Sequence, residues 1–537
     1  MAEIESEATS AAPAPDGSPD SSADNSTPSA ESDVRDLAGG ALVVFLGKIA
    51  RVSRGGFLLA ITLLCGKDIQ GLFTIAWSVC STLNKIARFG LLRSIVVTIT
   101  EARAQAQTEG DRRAEHAALG AGLWIAIVAS SAVVIGIQLA AQSIATFYDK
   151  PIEDALRIMA CTAPFIALSW VFNAATRALR IMRYEVYVRS VFGPLILLTG
   201  GIAVGLAGFA LTAIACVQLT MSIGNLGLSI VFFRRHFSLR DSFRAMWQTS
   251  PWRAMSRFGL PVALTDFVYA LLTQLDVLML GAFVHEATVG IYVLARQLAS
   301  VVLKAPQAFD AIFSSIVSEL SAQQRQGDLA DRFVTIVRWI LTVNLPIAAC
   351  LLLVGDSILQ VKGSGDLGDA ADLELAIQVL FVLAIGMMLQ SVFAVAEPLL
   401  AMSGRPGLNF LNNVIWLAVN ATLNLWLIKK YGAVGAAIGA SIAMLLVSIM
   451  RVAEVYFFRR IVPVSRTQLK PLAAGVGAAV PTWLLCDAVT DPLWRAILSC
   501  LVFLSSYLGI LVLLRPELED RMLLARCWRS IRRRLAG

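Results

Sequence analysis

The stretch that decides the fold lies at residues 408–457 and reads LNFLNNVIWLAVNATLNLWLIKKYGAVGAAIGASIAMLLVSIMRVAEVYF. It contains two long apolar runs, 408–428 and 433–457, which are separated by the short segment KKYG. A helix rises about 1.5 Å per residue, so about 20 apolar residues cross the hydrocarbon core of a bilayer. Each run therefore predicts one transmembrane helix, and the segment between them predicts a turn.

The composition of the whole chain agrees with this interpretation. Of its 537 residues, 57% are hydrophobic and only 15% are charged, and the mean hydropathy is +0.70. Soluble domains contain about 25% charged residues. So few charges cannot cover the surfaces of several soluble domains, and so many apolar residues argue against a disordered chain. We therefore expect an all-α polytopic membrane protein.

The same length criterion finds about fourteen transmembrane helices along the chain. The predicted spans are 39–63, 71–98, 117–139, 156–176, 190–206, 210–233, 259–281, 288–316, 333–355, 374–401, 408–428, 433–457, 470–487 and 494–514.

The basic residues of the connecting loops predict the orientation of these spans. The loops that follow even-numbered spans, together with the C-terminal tail, contain 27 Lys and Arg residues, whereas the other loops contain six. Cytoplasmic loops carry the excess of Lys and Arg in membrane proteins. Because the alternation continues along the whole chain, we expect both termini in the cytoplasm.

Two segments of the chain recur at nearly equal distances. CGKDIQGLFTIA (65–76) corresponds to VHEATVGIYVLA (284–295), and GFALTAI (208–214) corresponds to GAVGAAI (432–438). Six predicted spans separate the members of each pair, and an even number of spans preserves orientation. This repeat predicts two parallel six-helix lobes with a cavity between them, followed by two C-terminal helices.

The repeat and the charge distribution together predict six regions. The first 36 residues contain nine acids and one base and few large apolar residues, which is typical of a solvated, disordered segment. The regions are a disordered acidic cytoplasmic tail (1–36), an N-terminal lobe of spans 1–6 (37–234), a cytoplasmic linker (235–258), a C-terminal lobe of spans 7–12 (259–458), spans 13–14 (459–514) and a basic cytoplasmic tail (515–537). We interpret the basic tail as binding lipid headgroups and not nucleic acid.

Several basic residues lie inside predicted spans, where each costs about 2.5–3.5 kcal/mol on insertion scales. Such residues usually face a cavity, and Arg and Lys both suit phosphate groups. We interpret them as a cationic cavity for an anionic substrate; an alternative is that Lys48 and Arg54 snorkel or pair with acids. The predicted substrate-binding residues are Lys48, Arg51, Arg54, Lys85, Arg88, Arg296 and Lys304.

Acidic residues inside the spans are fewer, and they are candidates for ion coupling or for a gate. A pair of Asp276 with Arg296 or Lys304 is one possible gate, and H⁺, Na⁺ or the membrane potential could each drive the cycle. Near the end of span 12, we interpret Arg451 and Glu454 as a structural ion pair. The acidic candidates are Asp266, Asp276, Asp310 and Glu397.

The sequence predicts neither a metal site nor a cofactor. The eight cysteines and three histidines do not have the spacing of a metal site. GSGDLG at 363–368 matches the dinucleotide pattern GxGxxG, but no strand precedes it, and the chain has no nucleotide-binding P-loop motif. With short loops and no paired acids or histidine beside an aqueous loop, the chain is not expected to be an enzyme.

Motifs in the second half of the chain carry a family resemblance. They are LDVLMLG (275–281), VGIY (289–292), ARQL (295–298), EPLL (397–400), SGRP (403–406) and YGAVGAA (431–437), with Asn412, Asn413, Asn420 and Asn424 between the last two. With them, roughly residues 37–515 resemble the polysaccharide flippases for O-antigen and exopolysaccharide repeat units. These flippases belong to the multidrug/oligosaccharidyl-lipid/polysaccharide exporter superfamily.

The resemblance implies a function and a location. It implies movement of a polyprenyl-diphosphate-linked oligosaccharide across the bacterial inner membrane by alternating access of two lobes, with a polysaccharide polymerase and export machinery as possible partners. A peptidoglycan-precursor flippase and a cation-coupled multidrug exporter are alternatives, although an exporter of cationic drugs would favour acids in its cavity. A membrane-embedded glycan transferase or polymerase is an alternative of another class, disfavoured by the short loops.

Overall fold

The structure, a computed structural model, describes residues 52–105, 113–179, 181–208, 211–247, 252–304, 306–307, 326–362, 370–402, 406–461, 465–486, 489 and 491–514. Within these ranges every regular element is a helix.

The described helices are numbered here in chain order. Their bounds are α1 Val52–Cys65, α2 Lys67–Arg88, α3 Leu91–Gln105, α4 Arg113–Tyr148, α5 Glu153–Ala160, α6 Thr162–Ala178, α7 Arg183–Val186, α8 Gly193–Leu206, α9 Leu211–Phe233, α10 Leu239–Ala245, α11 Trp252–Phe283, α12 Glu286–Ala299, α13 Gln326–Lys362, α14 Ala370–Phe393, α15 Ala396–Met402, α16 Pro406–Arg459, α17 Leu469–Cys486 and α18 Pro492–Leu513. We call α1–α10 the first half of the chain and α11–α18 the second half.

The predicted all-helical membrane fold is confirmed. Ten helical segments of the described residues are long and apolar enough to cross a membrane, and each of the predicted spans overlaps a described helix. The number of fourteen spans and the division into two lobes stay predictions. The N-terminal tail (1–36), the C-terminal tail (515–537) and the segment 363–369, which contains GSGDLG, lie outside the described residues.

The stretch at 408–457 forms a helical hairpin inside α16. The backbone of Gly432 leaves the helical region with φ 57° and ψ −132°, a conformation that glycine adopts without a steric penalty. Beyond this turn the chain folds back on itself, because Gly435 lies against the carbonyl of Leu427 and Gly439 lies against Asn424. The two apolar runs are therefore antiparallel helices in close contact.

The predicted second span, 71–98, is not one continuous helix. It breaks at Phe89 and Gly90, whose φ angles are 45° and 63°. The break fits against the second half of the chain, because a Cβ atom on Gly90 would lie 2.8 Å from the carbonyl oxygen of Gly259. A smooth apolar pattern gives no sign of such a break, which depends on this tertiary contact.

The two halves of the chain meet where α2 packs against α11 and α12. Helices α2 and α11 are antiparallel: Ile75 contacts Gly281, Ser78 donates a hydrogen bond to Gln274 (3.1 Å), and Gly90 contacts Gly259. This seam runs the length of α2, which at about 1.5 Å per residue is roughly 30 Å. Residues at equal heights on the two helices can therefore act together.

The last two helices are attached to the second half through α13. Helices α17 and α18 pack against each other and against α13, and the hydroxyl of Tyr507 donates a hydrogen bond to the carbonyl of Thr342 (3.0 Å). That spans 13 and 14 are an addition to the repeated helices stays a prediction.

The tight crossing of the hairpin gives a stability prediction. A Cβ atom on Gly435 would lie 2.1 Å from the carbonyl oxygen of Leu427, so Gly435→Ala should destabilise the protein by about 1–3 kcal/mol through overpacking. The melting temperature of the purified protein, followed by intrinsic tryptophan fluorescence, measures this effect. The matched control is Gly227→Ala, whose new methyl group would meet no atom within 4 Å. Equal melting temperatures for the two variants would contradict the close crossing.

Candidate functional site

A cluster of basic side chains forms around one tryptophan at the end of α2. The guanidinium group of Arg88 lies 4.7 Å from the ring centre of Trp170 in α6, and that of Arg189 lies 3.9 Å from it. Lys85 is half-buried one turn before Arg88, within electrostatic range of Arg88, Asp266 and Arg189. We call Lys85, Arg88 and Arg189 around Trp170 the basic cluster.

Local backbone features place the basic cluster. Lys85 and Arg88 occupy the last turn of α2, where the helix dipole favours cations. Arg189 lies in a π-helical turn, Tyr187–Phe192, directly before α8. Pro194 follows this turn and has no N–H for the carbonyl of Ser190, which favours the wider turn. Neither feature follows from the hydrophobic pattern.

The basic cluster suits a multiply charged anion. Arginine stacked on an aromatic face keeps the edge of its guanidinium group available for bidentate bonds to phosphate. Within the first half, Glu185 pairs with Arg189 (2.7 Å) and lies 3.6 Å from Arg177. From the second half, Asp266 faces Lys85 across the seam. The cluster is therefore cationic, and it lies where the two halves meet.

Asp276 forms a second polar site at another level of the seam. Its side chain is only 4% exposed. The amides of Asn420 and Asn424 donate hydrogen bonds to Oδ1 (2.9 and 3.1 Å), and the hydroxyl of Tyr292 donates one to Oδ2 (3.2 Å). We call these four residues the Asp276 site.

The Asp276 site has oxygen atoms that lack partners. The Oδ1 atoms of Asn420 and Asn424 are buried and have no hydrogen-bond partner among the described residues, which is costly in a low-dielectric interior. Asp276 supplies a buried carboxylate beside them. Carboxylate and amide oxygens are ligands for hard cations, and a carboxylate can also take a proton. The site could therefore bind a small cation or a proton.

Arg296 does not pair with Asp276 in this structure, and the predicted gate stays a prediction. Its guanidinium donates a hydrogen bond to the backbone carbonyl of Thr273, and no ion pair joins it to Asp276 in the described structure. Thr273 is seven residues beyond Asp266, which places Arg296 about 10 Å along the seam from the basic cluster. Its charge lies between the basic cluster and the Asp276 site.

The predicted pair of Arg451 with Glu454 is wrong. Arg451 binds Glu397 (2.9 Å) and donates to the amide oxygen of Asn413 (2.8 Å), while Glu454 accepts a hydrogen bond from Asn412 (2.7 Å). Both partners of Arg451 lie on neighbouring helices, so tertiary packing selects them over the residue three positions away. Glu397, a predicted coupling residue, has a counter-charge within its own half of the chain.

The other predicted site residues are described only in part. Lys48, Arg51 and Asp310 lie outside the described residues, as does the side chain of Arg54, whose backbone is helical. Lys304 is exposed directly after the 3₁₀ turn that follows α12. The structure thus brings together Lys85, Arg88 and Asp266 from the predicted set, and the roles of all these residues stay predictions.

The sequence analysis missed the functional candidates Trp170, Arg189 and Tyr292. It counted Arg189 among loop residues because the span was set to begin at 190, next to it. The sequence does indicate a buried polar site at Asn420 and Asn424. Side-chain amides four residues apart lie on one helix face, and burying them in an apolar run requires polar partners.

One group of side chains in the described residues could hold a metal ion. Asp68, His285 and Glu286 offer ligand atoms within 4.8 Å of one another. However, the two ring nitrogens of His285 face different carboxylates, Nδ1 facing Asp68 and Nε2 facing Glu286, each at 3.6 Å. This geometry fits an imidazole between two acids better than a shared metal.

Sequence comparison relates the chain to proteins of glycan assembly. The family described as "Polysaccharide biosynthesis protein" matches residues 66–363. The probable flippase AglR of Haloferax volcanii is 28% identical over 258 residues, which cover 46% of this chain and 52% of AglR. The probable low-salt glycan biosynthesis flippase Agl15 of the same organism is 22% identical over 417 residues, which cover 76% of this chain and 81% of Agl15. The match thus spans about half the length of AglR.

Solved structures with a similar fold are membrane transporters. The lipid II flippase MurJ in an inward closed conformation has a TM-score of 0.71 at 15% identity, covering 87% of this chain and 97% of MurJ. An inward-facing multidrug resistance transporter of the MATE family, in the MOP superfamily, has a TM-score of 0.65 at 13% identity, covering 76% and 93%. At these identities the likeness concerns the fold.

The basic cluster predicts an effect of charge removal on anion binding. Arg88→Gln and Arg189→Gln should each weaken binding of farnesyl diphosphate to the purified protein about tenfold or more, because a hydrogen bond to a charged group contributes about 1.5–3 kcal/mol. Isothermal titration calorimetry measures the affinity. The matched control is Arg183→Gln. The guanidinium group of Arg183 lies 5.4 Å from the ring centre of Tyr184, and its side chain is exposed. Equal affinities for all three variants would remove the cluster from the candidate site.

The Asp276 site predicts the loss of a different property, the stabilisation of the protein by a bound ion. If it binds Na⁺, the melting temperature of the wild-type protein should be higher in Na⁺ than in choline, because a ligand at 100 times its Kd stabilises by about 2.7 kcal/mol. Asp276→Asn should abolish that dependence and keep diphosphate binding. Asp266→Asn is the control, and the same dependence in Asp276→Asn as in wild type would contradict the assignment.

Proposed function

Because the chain belongs to the polysaccharide biosynthesis protein family, whose match covers more than half of its residues, we propose that it translocates a polyprenyl-diphosphate-linked oligosaccharide repeat unit. The proposed movement is from the cytoplasmic to the outer leaflet of the inner membrane, for surface polysaccharide such as O-antigen or exopolysaccharide. The chain is a flippase-type transporter and not an enzyme, in line with its named relatives.

The observation that carries the proposal is the basic cluster at the seam. Arg88 and Arg189 stack on Trp170, and Lys85 lies beside them. A diphosphate carries at least two negative charges and several acceptor oxygens, which match guanidinium forks and an ammonium group. The helices that hold the cluster belong to the first half, and Asp266 of the second half faces it. A headgroup bound there would contact both halves.

The position of the cluster supports transport over simple binding. Alternating access needs a site whose surroundings open to one side and then to the other. The basic cluster lies near one end of α2, and Lys67 at the other end is about 30 Å away. Relative movement of the halves along the seam would change which side of the membrane the headgroup reaches.

The Asp276 site is the proposed site of ion coupling. It lies wholly within the second half, on α11, α12 and α16. Occupation by a cation or a proton would change the bonds that hold these three helices together. Since α11 also carries Asp266, ten residues and about 15 Å away, such a change would reach the helix that faces the basic cluster. Binding at one site could thereby bias the other.

The relatives support the chemical class of the substrate. Agl15 is named for glycan biosynthesis, and both AglR and Agl15 are named flippases. The basic cluster favours an anionic headgroup over a cationic drug. A surface polysaccharide polymerase and export machinery are the partners expected to act on the product.

A deletion strain of the source organism tests the proposal. Without the protein, a complete polyprenyl-diphosphate oligosaccharide should accumulate on the cytoplasmic leaflet, and surface polysaccharide should be lost. Lipid extraction with mass spectrometry identifies the oligosaccharide, and accessibility to an added glycosidase assigns the leaflet. Complementation with Arg183→Gln should restore the polysaccharide, and the Arg88→Gln/Arg189→Gln double variant should not.

Three other outcomes of this experiment would contradict the proposal. Accumulated peptidoglycan precursor with intact surface polysaccharide would indicate a different lipid-linked substrate. A truncated repeat unit would indicate a transferase. Unchanged lipids with new drug sensitivity would indicate a drug exporter.

A further inference from the structure

The two halves of the chain contact each other through equivalent residues. At one end of the seam, a Cβ atom on Gly71 would lie 2.0 Å from the carbonyl oxygen of Glu286, and a Cβ atom on Gly290 would lie 2.4 Å from the carbonyl oxygen of Lys67. Lys67 and Glu286 are 219 positions apart in sequence, and so are Gly71 and Gly290. Each contact is therefore the counterpart of the other under the internal repeat, and the backbones of α2 and α12 touch at a local two-fold axis.

Two ion pairs flank this contact and obey the same symmetry. Lys67 at the start of α2 binds Asp372 near the start of α14, and Glu286 at the start of α12 binds Lys150 just before α5 (2.9 Å). Lys150 and Asp372 are 222 positions apart, so they too occupy equivalent places. The positions correspond, but the charges are exchanged. Opposite charges therefore pair on both sides of this contact, although the two halves do not carry the same charge at equivalent positions.

These pairs are better enclosed than ordinary surface pairs. The side chain of Lys150 is 8% exposed, whereas that of Arg157, which pairs with Glu153 one turn along its own helix, is 47% exposed. Screening by water and salt is weaker for enclosed charges.

We propose that Lys67–Asp372 and Glu286–Lys150, with the Gly71–Gly290 contact between them, form a latch that holds the two halves closed at this end of the seam. The loop charges predict this end to face away from the cytoplasm. Opening here requires both ion pairs to separate and the glycine contact to part. The latch sets the balance between the closed and open forms, and it does so whatever the transported molecule is.

The charge exchange permits a sharp test in the purified full-length protein in lipid nanodiscs, without substrate. Amide hydrogen exchange is measured by mass spectrometry in peptides covering 66–76 and 284–295. Lys67→Asp should raise exchange in both peptides several-fold, because it places two acids together. The double variant Lys67→Asp/Asp372→Lys restores a pair of reversed polarity and should return exchange to the wild-type level. A milder variant, Glu286→Gln, should raise exchange in the same two peptides even if Lys67→Asp does not fold.

The matched control is Arg157→Asp, which breaks the exposed pair with Glu153 near the same end of the molecule. It should leave exchange in both peptides unchanged. Wild-type exchange in Lys67→Asp or in Glu286→Gln would overturn the latch, as would a double variant that exchanges as fast as Lys67→Asp. Because no transport is measured, these outcomes do not depend on the proposed substrate.

Discussion

The cost of charge in an apolar interior is the constraint on which the rest of this structure depends. A Lys, Arg or Asp in the middle of a membrane helix costs about 2.5–3.5 kcal/mol on insertion scales. The structure meets this cost in different ways. Arg451 is paired with Glu397, Asp276 accepts three hydrogen bonds, and Arg88 and Arg189 stack on Trp170. At the basic cluster, three cationic side chains lie near two acids, Glu185 and Asp266, and we propose that an anionic headgroup balances the remaining positive charge.

The sequence predicted the helices well because each helix is a local property. Apolar length marks the two runs of the hairpin in α16, and Gly432 marks its turn. The break at Phe89 and Gly90 and the π-turn that carries Arg189 could not be predicted, since a contact with Gly259 and the place of one proline decide them. Lys85, Arg88 and Asp266 could be named as charges inside spans, but their proximity follows from the antiparallel packing of α2 and α11.

Polar partners were the least predictable feature. Residues three or four apart suggested that Arg451 binds Glu454, yet partners on other helices, Glu397 and Asn413, bind it instead. For Asp276 the expected partners were Arg296 or Lys304, whereas Tyr292 on α12 and Asn420 and Asn424 on α16 bind it. In a bundle of many helices, each side chain has more neighbours across helices than along its own, so local spacing is a weak guide.

Three helices, α2, α11 and α12, link the proposed anion site, the proposed coupling site and the proposed latch. Helix α2 carries Lys67 of the latch and Arg88 of the basic cluster, and α11 carries both Asp266 and Asp276. Helix α12 joins Glu286 of the latch to Tyr292 of the Asp276 site. Because packed helices move as rigid bodies, a change at one site can be transmitted to the other two without local unfolding.

The most direct test of this account is translocation by the purified protein in proteoliposomes. A fluorescent polyprenyl-diphosphate oligosaccharide is placed in the vesicles, and a membrane-impermeant quencher reports how much reaches the outer leaflet. The account predicts translocation well above that of protein-free vesicles, with competition by unlabelled polyprenyl diphosphate and none by a cationic dye. Translocation at the protein-free rate, or transport of the cationic dye in its place, would contradict it.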